Sequence, residues 1–124
     1  GPGAAPSGAG GALRVLHSRS HLEPALQRWL QALPLPLQCE AAGSSLKFCR
    51  IAEGRADLYP RFGPTSAWDT AAGQCVLEAA GGQVVDRAGR PLRYGPARAL
   101  RNPDFFALGD AGLCVGIGLP PVAA

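Results

Sequence analysis

The chain has 124 residues, enough for one domain with a buried core and too few for two ordinary ones. Apolar residues make up 47% and charged residues 17%, a balance that excludes a solvated, disordered polymer. The net charge is +3, but the cations stand singly, with no basic helix or aromatic-interleaved arm, so a small phosphorylated ligand suits the chain better than a nucleic-acid polymer.

Gly and Pro crowd the opening "GPGAAPSGAGG", so residues 1–11 are expected to be a flexible lead ahead of a body at 12–110 and an irregular tail at 111–124. The sequence contains no Met, from which a fragment, a cleaved form or an incomplete record is expected. "ALRVLHS", Ala12 to Ser18, reads as a strand that breaks into the polar turn Arg19-Ser20-His21. Leu22, Ala25, Leu26, Trp29, Leu30 and Leu33 then recur at helical spacing, with Pro24 in the first turn and Pro34 at the end. "PLQCEAA", Pro36 to Ala42, predicts a second strand, and Gly43-Ser44-Ser45 opens a second helix that stops near Gly54. "ADLYPR" predicts a third strand. After the loop "RFGPTSA" a helix is expected over Thr70 to Ala80, followed by the strand "QVVD", a Gly/Pro-punctuated segment, and a last strand "FFALG" from Phe105. No element is expected beyond Asp110.

Strands alternating with helices imply an α/β layered sandwich, a mixed and mostly parallel sheet with flanking helices. Ligands of such sheets sit at strand ends and helix starts, which singles out "HSRSH", "GSSLK" and "YPRFGPTSAWD". Ser44 and Ser45 at a helix start serve either as caps or as donors to an anion. Lys47, one turn on, either reaches the same anion or stays on the surface. His21 either caps and meets solvent or donates to a ligand oxygen. Arg61, after Pro60, either aims its guanidinium fork at a phosphate or makes a surface ion pair. Asp69 is the only formal charge between Arg61 and Glu78; it is either a helix N-cap or a hard oxygen ligand for Mg²⁺. No second acidic cluster accompanies it, so a complete metal site is not expected. Cys39, Cys49, Cys75 and Cys114 are widely spaced without CxxC or a nearby His pair, so zinc and a disulfide framework are not expected and buried thiols in a reducing compartment are. No apolar run reaches the roughly 18 residues of a membrane span.

"WDTAAGQCVLEAAGG", Trp68 to Gly82, resembles the C-terminal signature of the inositol monophosphatase superfamily. "SRSH", "GSSLKFCRIAEGRADLYPRFGPTS" and "NPDFFALGD" resemble its CysQ-type 3'(2'),5'-bisphosphate nucleotidases over most of Val15 to Asp110. The resemblance implies the C-terminal half of an αβαβα fold. It implies a Mg²⁺-dependent phosphomonoester hydrolase converting 3'-phosphoadenosine 5'-phosphate to AMP and phosphate, with Asp69 as a metal ligand. His21, Ser44, Lys47, Arg61 and Asp69 match substrate-binding positions, and no catalytic residue is expected in this segment. The family's early Glu and Asp-Pro-x-Asp-Gly-Thr loop have no counterpart here, so the partner implied is the N-terminal half of its own chain, and the isolated segment is expected to be inactive. The implied location is the cytoplasm, free or peripheral on the inner face of the inner membrane. An inositol or sugar phosphate phosphatase and a non-catalytic nucleotide-binding module are the alternatives. Inositol-phosphate members usually carry an acid where this loop offers Arg61.

Overall fold

A computed structural model describes residues 6–18, 23–62, 65–93, 101–102 and 104–120; the side chains of residues 44, 45, 66–69, 101 and 102 fall outside that description. The first strand, β1 (Leu13–His17), alternates so that Leu13 and Val15 face one side of the sheet and Leu16 the other. Helix α1 (Pro24–Gln31) starts with Pro24 at a position that needs no N–H and buries Leu26 and Leu30. β2 (Leu37–Ala41) follows, then α2 (Ser44–Ala52), which ends ahead of Gly54, whose φ of 79° is a left-handed turn that favours glycine. β3 (Leu58–Arg61) leads to the two-residue strand β4 (Thr65–Ser66) and directly into α3 (Ala67–Ala79). β5 (Gln83–Val85), β6 (Arg101–Asn102), β7 (Phe105–Leu108) and the helical turn α4 (Leu113–Gly116) complete the order.

Five strands make one sheet in the order β2-β1-β3-β7-β5, and β4 pairs with β6 as a separate ribbon. β1 runs parallel to β2 and β3, whereas β7 is antiparallel to both β3 and β5. The sheet is therefore mixed, with every strand but β7 pointing the same way. α1 and α4 share one hydrophobic core with one face of the sheet, including Trp29, Phe62 and Phe106; the ring of Trp29 lies 5.0 Å from that of Phe106. The other face, with Phe48, Tyr59, Leu77 and Phe105, is covered by α2 and α3. Tyr59 meets Phe48 and Phe105 edge-on at 5.6 and 5.5 Å. Such pairs add about 0.5–1.5 kcal/mol each beyond area burial.

At the amino-end edge of the sheet, the carboxylate of Asp57 accepts the amides of Ser7 and Arg14, at 3.0 and 2.9 Å. The Asp57 carbonyl accepts the amide of Gly109. One 7% exposed acid thus ties residues before β1, the start of β1, and β3 together.

Three expectations change. The helix carrying Asp69 begins at Ala67, because Thr65 and Ser66 are fixed by pairing with Asn102 and Arg101 and the chain turns helical at once. Asp69 is thus the third helical residue and not the N-cap. Beyond Asp110, where no element was expected, Leu113, Cys114, Ile117 and Leu119 bury against the sheet; four apolar residues outweigh the Gly/Pro content around them. Finally, only Cys114 is buried, while Cys39, Cys49 and Cys75 are exposed, because β2 is an edge strand and α2 and α3 turn the other two thiols outward. Among the described residues no helix is long and apolar enough to cross a membrane.

Candidate functional site

β1, β2 and β3 are parallel, so His17, Ala41 and Arg61 all lie at one edge of the sheet. Arg61 also pairs in register with Phe105 at the start of antiparallel β7. The three polar junctions singled out from sequence therefore begin at a common rim. Direct β1–β3 pairing is confined to Val15 and Leu58, and Pro60 has no N–H to extend a ladder. Beyond that point a side chain ties the strand ends: Arg61 Nη1 donates to Ser18 Oγ at 2.8 Å. Arg61 Nε is buried with no hydrogen-bond partner, an N–H whose desolvation is uncompensated within the protein. The His17 ring nitrogen Nδ1 lies 2.9 Å from the Ser18 carbonyl oxygen, which defines the turn from the same side.

Lys47 is 2% exposed. Its ammonium donates to the carbonyl of Ala42 at 3.1 Å and lies 4.9 Å from the centre of the Tyr59 ring. The ammonium thus sits at the exits of β2 and β3, held by a carbonyl and a π-face that both favour positive charge. The surface alternative for Lys47 is thereby excluded. The N-cap of α2 is Gly43, and no side chain caps it, so Ser44 and Ser45 are the first two helical residues rather than caps.

α2 joins the rim end of β2 to the start of β3, and α3 leads to the start of β5, which runs parallel to β3, so both helices run down from the rim. They pack tightly at Gly73, where a Cβ would stand 2.5 Å from the ring of Phe48. Asp69 and Ser44 each lie four residues, about one helical turn, before that contact. Their backbones are accordingly level with each other at the rim. The side chains of Ser44 and Asp69, and all of His21, lie outside the described residues.

The described acids do not fit a Mg²⁺ centre, which needs several oxygens around one point. Among the described residues no three His, Cys, Asp or Glu side chains are placed to hold a metal. Asp57 is occupied by the amides of Ser7 and Arg14. Asp86 accepts the amides of Ala88 and Arg90. Asp104 pairs with Arg87 at 3.0 Å. Asp110 accepts the amide of Gly112, which holds its carboxyl below the usual carboxylate range.

Two polar groups lie within the stretches singled out from sequence but were given no role there. Ser18 carries the bond to Arg61, and Gln74, buried on α3, donates to the carbonyl of Leu92 at 2.8 Å and fixes the loop after β5. Only the position of Ser18 at the end of a strand could have marked it.

A model described as the inositol monophosphatase family matches residues 9–108. The 3'(2'),5'-bisphosphate nucleotidase CysQ of Escherichia coli K12 is 54% identical over 91 residues, covering 73% of this chain and 37% of that protein. CysQ of Buchnera aphidicola is 49% identical over 92 residues, covering 73% of this chain and 34% of its own length. Among solved structures, CysQ from Bacteroides thetaiotaomicron superposes with a TM-score of 0.72 at 40% identity, over 82% of this chain and 39% of the other. The chain thus spans little more than a third of the length of these relatives. On the match over residues 9–108, the chain belongs to the inositol monophosphatase family.

Proposed function

We propose that this chain is the substrate-gripping part of a Mg²⁺-dependent 3'(2'),5'-bisphosphate nucleotidase. The complete enzyme hydrolyses 3'-phosphoadenosine 5'-phosphate to AMP and phosphate: the oxygen of water bonds to phosphorus, and the 3'-oxygen leaves and takes a proton. The observation that carries this reading is Arg61. One end of its guanidinium is fixed by Ser18, while Nε is buried and lacks a partner at the rim. A phosphate oxygen would satisfy that N–H with a charge-assisted bond. Lys47 adds a buried cation held at the exit of β2, and the start of α2, whose N-cap Gly43 has no side chain, adds backbone donors. His21 and Ser44 belong to the same grip, and Asp69 to its metal side, through the family resemblance. The 54% identity to a protein named for this activity supports the nucleotide over a polyol phosphate.

The chain's own work in this reading is binding and orientation. Its cations hold the phosphates, and Pro60 and Ser18 fix the guanidinium before substrate arrives, which lowers the ordering cost of binding. The other Mg²⁺ ligands and the nucleophile machinery belong with the part of the relatives that this chain does not span. A cytoplasmic location goes with the same reading.

Isothermal calorimetry of the 124-residue chain with 3'-phosphoadenosine 5'-phosphate tests the proposal. Binding without phosphate release, lost in Arg61→Gln, is the expected result. Equal affinity for inositol monophosphate would favour the polyol reading, and Mg²⁺-dependent turnover by this chain alone would overturn the division of labour.

A further inference from the structure

Arg87, just past the end of β5, reaches back along the rim. β5 and β3 are both antiparallel to β7, so their exits lie at the same edge of the sheet with the entry of β7 between them. The Arg87 guanidinium lies over the face of Phe62, the residue after β3, 4.3 Å from the ring centre. Strands two places apart in a sheet are separated by about 10 Å, so the side chain spans the entry of β7, where Asp104 accepts from Nε at 3.0 Å and pins it. The backbone beneath is fixed as well. The Asp86 carboxylate accepts the amides of Ala88 and Arg90, the Asp86 amide donates to the Arg90 carbonyl, and Gly89 takes the left-handed turn at φ 76°. Phe62 is itself buried against the rings of Trp29 and Phe106. An arginine whose side chain is 53% exposed is thus held in one place, although such a side chain ordinarily keeps its rotamer freedom.

Tyr59 and Phe62 belong to opposite faces of the sheet, so alternation along β3 turns Arg61 to the side of Lys47 and Tyr59, and Phe62 to the other. The phosphate grip and the Arg87–Phe62 stack therefore straddle the exit of β3, one residue apart. We propose that the exposed side of the Arg87 guanidinium is the platform on which the base of a nucleotide stacks while its phosphate rests on Arg61. Guanidinium planes stack on nucleobases as they do on aromatic side chains. The ion pair with Asp104 decides what this one takes. Already neutralised at its edge, it offers little to a second anion and presents a weakly hydrated plane to an uncharged ring. This inference rests on the nucleotide reading and names the group that tells a nucleotide from a sugar or polyol phosphate.

The test compares AMP with ribose 5-phosphate, which lacks only the base, by calorimetry on the 124-residue chain. The parent is expected to bind AMP about tenfold more tightly, and Arg87→Ala and Arg87→Lys are expected to erase that preference with ribose 5-phosphate affinity unchanged. A parent that binds both ligands equally overturns the proposal with no variant needed. A preference that survives in both variants overturns it too. Arg87→Lys keeps the charge without the plane, so a preference kept there and lost in Arg87→Ala assigns the effect to charge and also overturns the platform. Retained binding of ribose 5-phosphate shows that each variant is folded. Arg61→Gln is expected to weaken both ligands alike. A parent that binds neither ligand, or an Arg61→Gln variant that binds both as the parent does, overturns the phosphate grip, an outcome distinct from failure of the base platform alone.

Discussion

Arg61 Nη1 and Ser18 Oγ stand 2.8 Å apart across the exits of two parallel strands. The hydroxyl accepts from one end of the guanidinium, and Nε behind it is buried without a partner. Ser18→Ala therefore leaves the charge in place and removes its orientation. Nucleotide affinity is expected to fall about tenfold in Ser18→Ala, a loss of one charge-assisted bond, and further in Arg61→Lys, which keeps the charge but not the fork. Calorimetry of both variants checks the order. Equal affinity in Ser18→Ala and the parent chain would mean that the bond does no positioning.

Lys47 gives a second prediction, because its stem is packed and its ammonium answers the Ala42 carbonyl. Lys47→Met keeps most of the volume and strands that acceptor. The variant is expected to lose about 1–3 kcal/mol of stability by urea titration and also to bind nucleotide more weakly. A variant as stable as the parent would show that the carbonyl finds another donor.

Between Ala12 and Arg61 the helices were legible because each carries an apolar stripe at helical spacing, and the strands because they are short runs bounded by polar turns, Pro or Gly. The rim was legible for the same reason: parallel strands bring their ends together whatever the side chains are. What escaped depended on distant partners. Asp57 looked like an isolated acid because the groups it binds, Ser7 and Arg14, are 50 and 43 residues away. β4 and β6 are two residues each and exist only by pairing with each other, so no periodicity announces them. The exposed thiol of Cys75 was misread because neutral, mostly small residues run around both faces of α3, and such a helix does not reveal which face is buried. Lys47 was open between surface and ligand, and only the Tyr59 ring and the Ala42 carbonyl resolve it.

Gly73 sets the spacing of the two helices whose first turns form the rim. A Cβ there would lie 2.5 Å from Cδ2 and 3.1 Å from Cβ of Phe48, so the clash reaches the root of the side chain and rotation alone does not relieve it. Gly73→Ala is expected to cost about 1–3 kcal/mol through overpacking, seen as a lower Tm, even though alanine is the better helix former by about 1 kcal/mol. Combining it with Phe48→Leu is expected to restore part of the loss. A Gly73→Ala variant that melts higher than the parent would show that α3 slides freely on α2.

Cys114 gives the pH dependence. Its thiol is buried on α4 against the sheet, and burial pushes its pKa above the ordinary thiol value. The folded state then holds a proton that the unfolded chain releases first. Its contribution to stability is full below the unfolded thiol pKa, near about 8.5, and falls as pH rises from there toward the folded value. Urea titrations between neutral and alkaline pH are expected to show this loss, and Cys114→Ala, less stable at neutral pH from the lost packing, is expected to show a shallower decline. Under native conditions a thiol reagent should modify Cys39, Cys49 and Cys75 and reach Cys114 only on unfolding. Prompt modification of Cys114 in the folded chain would mean that α4 opens readily, and the alkaline loss of stability would then have to come from other groups.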